Sequence, residues 1–315
     1  MSNLAVIGVG ALGKRHLQSI SDLRGDNTIY AVEINENIIK PLQIEMPWVH
    51  FVTSIDKLPV EIAVAVFATS ANVRRVLFEQ LIAHSHISNI IFEKVLFQKE
   101  EDYYYVKQKL DELGIKAWVN CARREWDAYK NLKQELNNCR EIHFSVAGGN
   151  WGMGCNTIHM LDIIEFLSNE KVDYLNFSGL DDHIVESKRN GFYEFFGTIT
   201  GTAGKCKSFS IICIEDSPLP FVIQITTESS RYIVHEGHGK IMKSDATSSW
   251  NWQEFEFKPV YQSQMTGRVV KSIMNCQECN LAKYNDAMEL HLKYIVPLIA
   301  FFNANGMEEK LCPIT

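Results

Sequence analysis

Residues 4–20 read LAVIGVGALGKRHLQSI, and this stretch decides how the first part of the chain folds. An apolar run over 4–9 is what a strand buried on both faces of a parallel sheet requires. Glycines follow at once, and an amphipathic helix follows the glycines. Gly8 permits the tight turn, Gly10 lets the backbone approach a pyrophosphate, and Gly13 allows the helix to pack closely on the strand. Ala11 and Leu12 lie between them, where the helix N-terminus supplies amide donors and a positive dipole end.

The glycine spacing alone is a weak sign, so what surrounds it matters. Glu33 closes a second strand over 28–32 and stands twenty residues beyond Gly13. There a carboxylate accepts hydrogen bonds from both hydroxyls of an adenosine ribose. It would repel a 2'-phosphate, and neither Ile34 nor Asn35 offers a compensating cation, so NAD is favoured over NADP. Strands over 61–68, 89–92 and 116–120 alternate with helices over 72–84 and 100–113, which predicts a doubly wound parallel sheet of the Rossmann type. Ligands bind such sheets at the carboxyl ends of the strands. That rule places Thr69, Ser70, Ala71 and Asn72 beside the dinucleotide, with Glu93 and Lys94 at the end of the next strand. Lys94 is the first chemical candidate, as a proton shuttle or as a charge that polarises a substrate oxygen; the alternative is an ordinary solvated lysine.

After residue 120 the character changes. Residues 120–136 read as a linker turning into an amphipathic helix, and strand-like runs follow at 140–149, 174–179, 193–202, 205–216, 221–229 and 231–237. Few helices are expected among them, and residues 208–214 alternate less strictly than a half-buried strand should. The expectation is an α+β domain on an open, largely antiparallel or mixed sheet, closed by a helix over 280–303. A chain of 315 residues exceeds one ordinary core, which suggests a nucleotide-binding domain over 1–119 and a substrate-binding domain over 120–315.

A formal net charge of -7 argues against a nucleic-acid partner. A small anionic substrate needs only local cations, and Arg123 and Arg124 stand together. No apolar run of about 18 residues occurs, so no membrane span is expected. The first residues lack the pattern of a secretory signal, which points to a cytoplasmic protein. The eight cysteines are scattered and expected to be reduced. Cys276 and Cys279 have zinc-ribbon spacing without a second pair or a histidine couple, so no metal is expected.

Across its whole length the chain resembles the Gfo/Idh/MocA family of glucose-fructose oxidoreductases and inositol dehydrogenases. The resemblance is carried by GVGALGKRH at 8–16, ATSANVRRV at 68–76, EKVLF at 93–97 and, most specifically, GGNWGMGCNTIHMLD at 148–162. It implies that Lys94 and His159 work on the hydroxyl of a sugar or polyol while a nicotinamide exchanges the hydride, with Asp162 at the position of the acid after the histidine. It also implies an active site between the domains and a homodimer or homotetramer through the C-terminal sheet.

Two departures stand out. Val95 replaces the usual proline and should only loosen the turn after Lys94. Cys155 replaces the usual aspartate one helical turn before His159, and a thiol cannot imitate a carboxylate as an acceptor. Asn120 or Asn156 is expected to bind neighbouring hydroxyls, and Cys155 to lie with them among the substrate-binding residues. The motifs VNCARR, GGNWG and CNTIH resemble a branch linked to bacterial surface polysaccharide and acidic sugar biosynthesis. The expected function is an NAD-dependent oxidoreductase acting on a sugar, nucleotide sugar or sugar acid. Its rivals are a dinucleotide-binding sensor or structural protein that kept the fold without the chemistry, and an enzyme that uses tightly held NAD transiently in elimination or epimerisation.

Overall fold

The opening apolar run forms strand β1 (Ser2–Ile7), with residues 4–7 buried. The computed structural model describes residues 1–307 and 310–315. After β1 come α1 (Ala11–Ile20), β2 (Asn27–Val32), α2 (Glu36–Glu45), β3 (Val49–Val52), β4 (Glu61–Phe67), α3 (Ala71–His84), β5 (His86–Phe92), α4 (Glu100–Leu113) and β6 (Lys116–Val119). Local chemistry sets several of these ends. The Asn35 side chain accepts from the Asn37 amide at 3.0 Å and so caps α2. Glu100, Glu101 and Asp102 suit the positive end of α4, and Gly114 stops that helix with a left-handed φ of 65°.

The chain continues through α5 (Asp127–Leu136), β7 (Ile142–Gly149), α6 (Met153–Ser168), β8 (Tyr174–Leu180), β9 (Val185–Glu186), β10 (Tyr193–Glu194), β11 (Gly197–Ala203) and β12 (Cys206–Ile214). Strands β13 (Val222–Thr227), β14 (Ser230–His235), β15 (Lys240–Asp245) and β16 (Gln253–Glu256) complete this run. Last come α7 (Gln262–Cys276), β17 (Ala282–Lys283) and α8 (Tyr284–Ala304).

The first sheet has the order β17-β6-β5-β4-β1-β2-β3. Strands β1 to β6 pair in parallel, and β17 adds an antiparallel edge on β6. The order reverses between β1 and β4, the switch point at which doubly wound sheets bind ligands. The second sheet has the order β16-β15-β14-β13-β7-β12-β11-β8 and is antiparallel except for the pair β7 and β12. Both architectures are those expected from the sequence.

The division into units is less simple than a cut after residue 119. One compact unit holds Met1–Ala122, Val260–Met288 and Thr315; the other holds Arg123–Pro259 and Glu289–Ile314. The cause is α7, a helix the sequence reading passed over. Met265, Val269, Val270 and Ile273 are buried in one core with Leu4, Val6, Leu17 and Ile20 of the first unit. A Cβ on Gly267 would lie 2.3 Å from the Ser19 carbonyl oxygen, so α7 crosses α1 at a point that only glycine allows.

In the second unit α6 packs on β7, β11 and β12. Every residue of α6 is buried except Cys155, Asn156 and His159. On β12, Phe209, Ile211 and Cys213 point inward while Ser208, Ser210, Ile212 and Ile214 point outward; this mixed outer face blurs the alternation in the sequence. A row of Asn176, Thr200, Ser210, Ser145 and Gln224 crosses five strands in register on that outer face. Among the described residues no helix is long and apolar enough to cross a membrane.

Candidate functional site

The turn after β1 has the geometry that a bound pyrophosphate needs. Gly8 adopts φ 89°, and a Cβ there would meet Thr69 Cγ2 at 2.7 Å. A Cβ on Gly13 would lie 2.0 Å from the Gly8 carbonyl oxygen, so the approach of helix to turn depends on its absence. Gly10 differs, because a Cβ there would find nothing within 4 Å. It is the N-cap of α1, with no side chain on the first amides. Open space and uncapped amides lie together where a phosphate would approach, and Ala11 and Leu12 form the first turn behind them.

Glu33 follows β2, and its carboxylate accepts from the Val9 amide and from the Asn35 amide, each at 3.0 Å. These bonds fix both oxygens and leave further acceptor capacity on each. The residues present therefore fit an adenosine dinucleotide: glycine turn and α1 for the pyrophosphate, Glu33 for a ribose.

After β4, Thr69 and Ser70 are half-buried and Asn72 is exposed. The Ser70 hydroxyl donates to Asn72 Oδ1 at 2.7 Å, and the Ala71 amide that begins α3 donates to the Thr315 hydroxyl at 2.9 Å. Lys94 is the one half-buried residue in a stretch, 90–98, that is otherwise buried.

The turn after Lys94 is held from α3. The Lys94–Val95 peptide is cis, and the buried guanidinium of Arg74 donates to the carbonyls of Val95, Thr69 and, at 2.6 Å, Leu96. Arg74 thus ties the β4 turn to the β5 turn. Burial pushes its pKa down to about 10, opposed by the charge of Glu93. No sequence signal distinguishes it from its neighbour Arg75.

Glu93 and Asn120, read as ligand contacts, are both buried and bonded to each other. Glu93 Oε1 accepts from Asn120 Nδ2 and, at 2.9 Å, from His16 Nε2; Asn120 Nδ2 also donates to Gln262 Oε1 at 2.8 Å. Burial opposes ionisation of Glu93, but the hydrogen bonds from His16 and Asn120 and the charge of Lys94 outweigh it and hold the carboxyl below its ordinary value. His16, Gln262 and Thr266 belong to this cluster and were not singled out from the sequence.

In the second unit, Cys155, Asn156 and His159 form the half-exposed strip of α6. Cys155 Sγ donates to the Gly152 carbonyl at 3.6 Å, and Asn156 Nδ2 to the Trp151 carbonyl at 2.7 Å. Beside them stands a carboxylate that the sequence reading missed: Glu194 Oε2 accepts from the Gly154 amide at 2.7 Å, at the start of α6. Arg123 and Arg124 are both engaged in ion pairs. Arg123 grips Glu236 through Nε and an Nη at 2.6 and 2.7 Å, and Arg124 holds the buried Asp162 at 2.8 to 2.9 Å. Cys276 ends α7, and among the described residues no three His, Cys, Asp or Glu side chains gather as metal ligands.

Neither family models nor curated protein sequences match this chain. Solved structures do. The UDP-N-acetylglucosamine 3-dehydrogenase GnnA from Acidithiobacillus ferrooxidans matches with a TM-score of 0.75 at 12% identity, over 96% of this chain and 98% of that one. The dehydrogenase MviM from Clostridium difficile matches at 0.71 and 15%, over 94% and 99%. The super-repressor mutant of Gal80p from Saccharomyces cerevisiae matches at 0.72 and 13%, over 98% and 97%. This chain has their fold. At such identities the fold alone is shared, and it serves dehydrogenases and a repressor alike, so function must be argued from the site.

Proposed function

We propose that this protein is an NAD-dependent oxidoreductase of the Gfo/Idh/MocA family that moves a hydride between nicotinamide and a hydroxyl or carbonyl carbon of a sugar, nucleotide sugar or sugar acid. The observation that carries the reading is the β1 turn: open space at Gly10, the close contact at Gly13 and the anchored carboxylate of Glu33 suit one ligand together. When bound, the cofactor supplies the hydride acceptor or donor. The protein holds it and manages the proton. Gly8, Gly10 and Gly13 with the first amides of α1 hold the pyrophosphate, Glu33 the ribose, and the turn at Thr69, Ser70 and Asn72 flanks the nucleotide.

In this reading the Lys94 ammonium holds the reacting oxygen and His159 accepts the hydroxyl proton, as the family resemblance implies. Asn156, beside His159 on the half-exposed strip of α6, binds a neighbouring hydroxyl. With Asn120 committed to Glu93 and Gln262, and both arginines paired, the substrate is placed chiefly by that strip. The fold shared with GnnA makes UDP-N-acetylglucosamine the first substrate to try, and the resemblance carried by VNCARR, GGNWG and CNTIH makes surface polysaccharide synthesis the first setting.

The test is NAD binding by calorimetry, followed by absorbance of the reduced cofactor with nucleotide sugars, sugar acids and free sugars. Micromolar NAD binding and turnover abolished by Lys94→Ala are expected. Absence of NAD binding refutes the reading; NAD binding without turnover of any sugar favours the sensor, a reading to which Cys155 and the fold shared with a repressor lend weight. Tight NAD with substrate conversion and no net reduction marks transient use of the cofactor. A second copy is proposed to cover the outer face of the second sheet, and a monomeric mass by light scattering would rule that out.

A further inference from the structure

Glu93, the neighbour of Lys94, belongs to a largely buried ring drawn from four elements of the first unit: His16 on α1, Glu93 after β5, Asn120 after β6, and the half-buried Gln262 with Thr266 on α7. Exposures of 0% for His16, 4% for Glu93, 4% for Asn120 and 2% for Thr266 mean that their polar atoms must be matched from within. Each link has a direction. Asn120 Nδ2 can only donate, and it donates to Glu93 Oε1 and to Gln262 Oε1. That fixes the Gln262 amide, whose Nε2 donates to Thr266 Oγ1 at 2.6 Å. The Thr266 hydroxyl has two acceptors in reach, His16 Nδ1 at 2.8 Å and the Gln262 carbonyl at 3.4 Å, and the shorter contact directs its hydrogen to His16, whose Nδ1 is also 3.4 Å from Gln262 Nε2; His16 Nε2 donates to Glu93 Oε1 at 2.9 Å. Both arms start at Asn120 and end on the Glu93 carboxylate.

We propose that Gln262 and Thr266 are positioning residues: by closing this ring they fix Glu93, and with it the backbone that presents Lys94. The role of α7 is then to complete the carboxyl ends of β5 and β6, which the first 122 residues cannot do alone. The inference rests on the proposed function only for what Lys94 touches. The ring itself can be tested without ligand.

Thr266→Val keeps the shape and removes the hydroxyl, Thr266→Ser restores it, and Gln262→Met tests the same link from a half-buried position where folding is safer. In the full chain, nitrogen-15 NMR reads the His16 tautomer, and mass spectrometry reads the acetylation rate of Lys94 relative to the other lysines. Wild type and Thr266→Ser are expected to show the Nε2–H form of His16 and equal Lys94 labelling. Thr266→Val and Gln262→Met are expected to mix the tautomers and raise Lys94 labelling about tenfold, equivalent to about 1.4 kcal/mol. Unchanged tautomer and labelling in either variant, or failure of Thr266→Ser to restore them, overturns the inference. If the ring variants behave as expected but the wild type binds no NAD, the proposed function fails and the ring stands.

Discussion

Gly10 and Gly13 occupy one turn, yet alanine at each should damage different properties. A methyl at Gly13 would sit 2.0 Å from the Gly8 carbonyl oxygen and 2.9 Å from its carbon, both backbone atoms that move only if α1 moves. Overpacking of this kind costs about 1 to 3 kcal/mol. For a large chain that lowers Tm by about 3 to 10 °C. A methyl at Gly10 meets nothing, and φ −64° with ψ −169° is open to alanine. The reduced freedom of the unfolded chain stabilises by about 0.4 to 1 kcal/mol and the poorer N-cap costs a similar amount, so the net change is near zero.

The same methyl stands where a phosphate must approach the α1 amides. Losing one charge-assisted hydrogen bond costs about 1.5 to 3 kcal/mol, or about ten- to a hundredfold in NAD affinity. Thermal melting without ligand, paired with NAD calorimetry, separates the two. Gly13→Ala should melt early, whereas Gly10→Ala should melt like wild type and lose the rise in Tm that saturating NAD produces. Wild-type NAD affinity in Gly10→Ala would refute the cradle.

Three further outcomes follow from the pairings. Glu93→Gln should lower stability by about 2 kcal/mol at pH 7 in urea unfolding, because His16 and Asn120 lose a charged acceptor. Since the folded state holds the Glu93 carboxyl below its ordinary value of about 4.3, that stabilisation is full above this pH and fades as pH falls through the folded value, so the gap between wild type and variant should narrow below pH ~4; a constant gap contradicts it. Arg124→Ala should cost about 3 to 5 kcal/mol by leaving the Asp162 carboxylate buried, and Asp162→Asn in the same chain should recover part of it; additive losses in the double-mutant cycle would contradict the pair. Glu194→Gln should cost about 1 kcal/mol by removing a charge from the start of α6, measured by thermal melting, and an unchanged melt would count against that cap.

The first sheet was legible because its signals are local. Strands β1, β2, β4, β5 and β6 are short, mainly apolar runs beside their own turn chemistry, whereas β3 (VHFV) and α2 were not read from the sequence; Glu33 lies within one β-α-β unit of the glycines. Helix α7 carried a fair pattern too, with apolar residues at 265, 269, 270 and 273, but Gln, Ser, Thr and Gly dilute it and make it a poor helix by propensity. Its reason to be helical is α1, some 250 positions earlier, and Gly267 makes sense only once Ser19 is seen against it. Tertiary packing decided there what local preference left open.

The site divides along the same line. A sequence shows which groups can donate or accept, but not which are already spoken for. Nothing local marks Glu236 and Asp162, 113 and 38 positions away, as the partners of Arg123 and Arg124. Cys155 runs the other way. Its thiol leaves the start of α6 without the expected carboxylate, yet a Cβ on Gly152 would lie 3.5 Å from both Cys155 Sγ and Glu194 Oε1. A negative charge therefore reaches the helical turn that precedes His159 after all, carried by β10 and held there by the Gly154 amide. The chemistry of the α6 strip has to be judged from Glu194, Asn156 and His159 together.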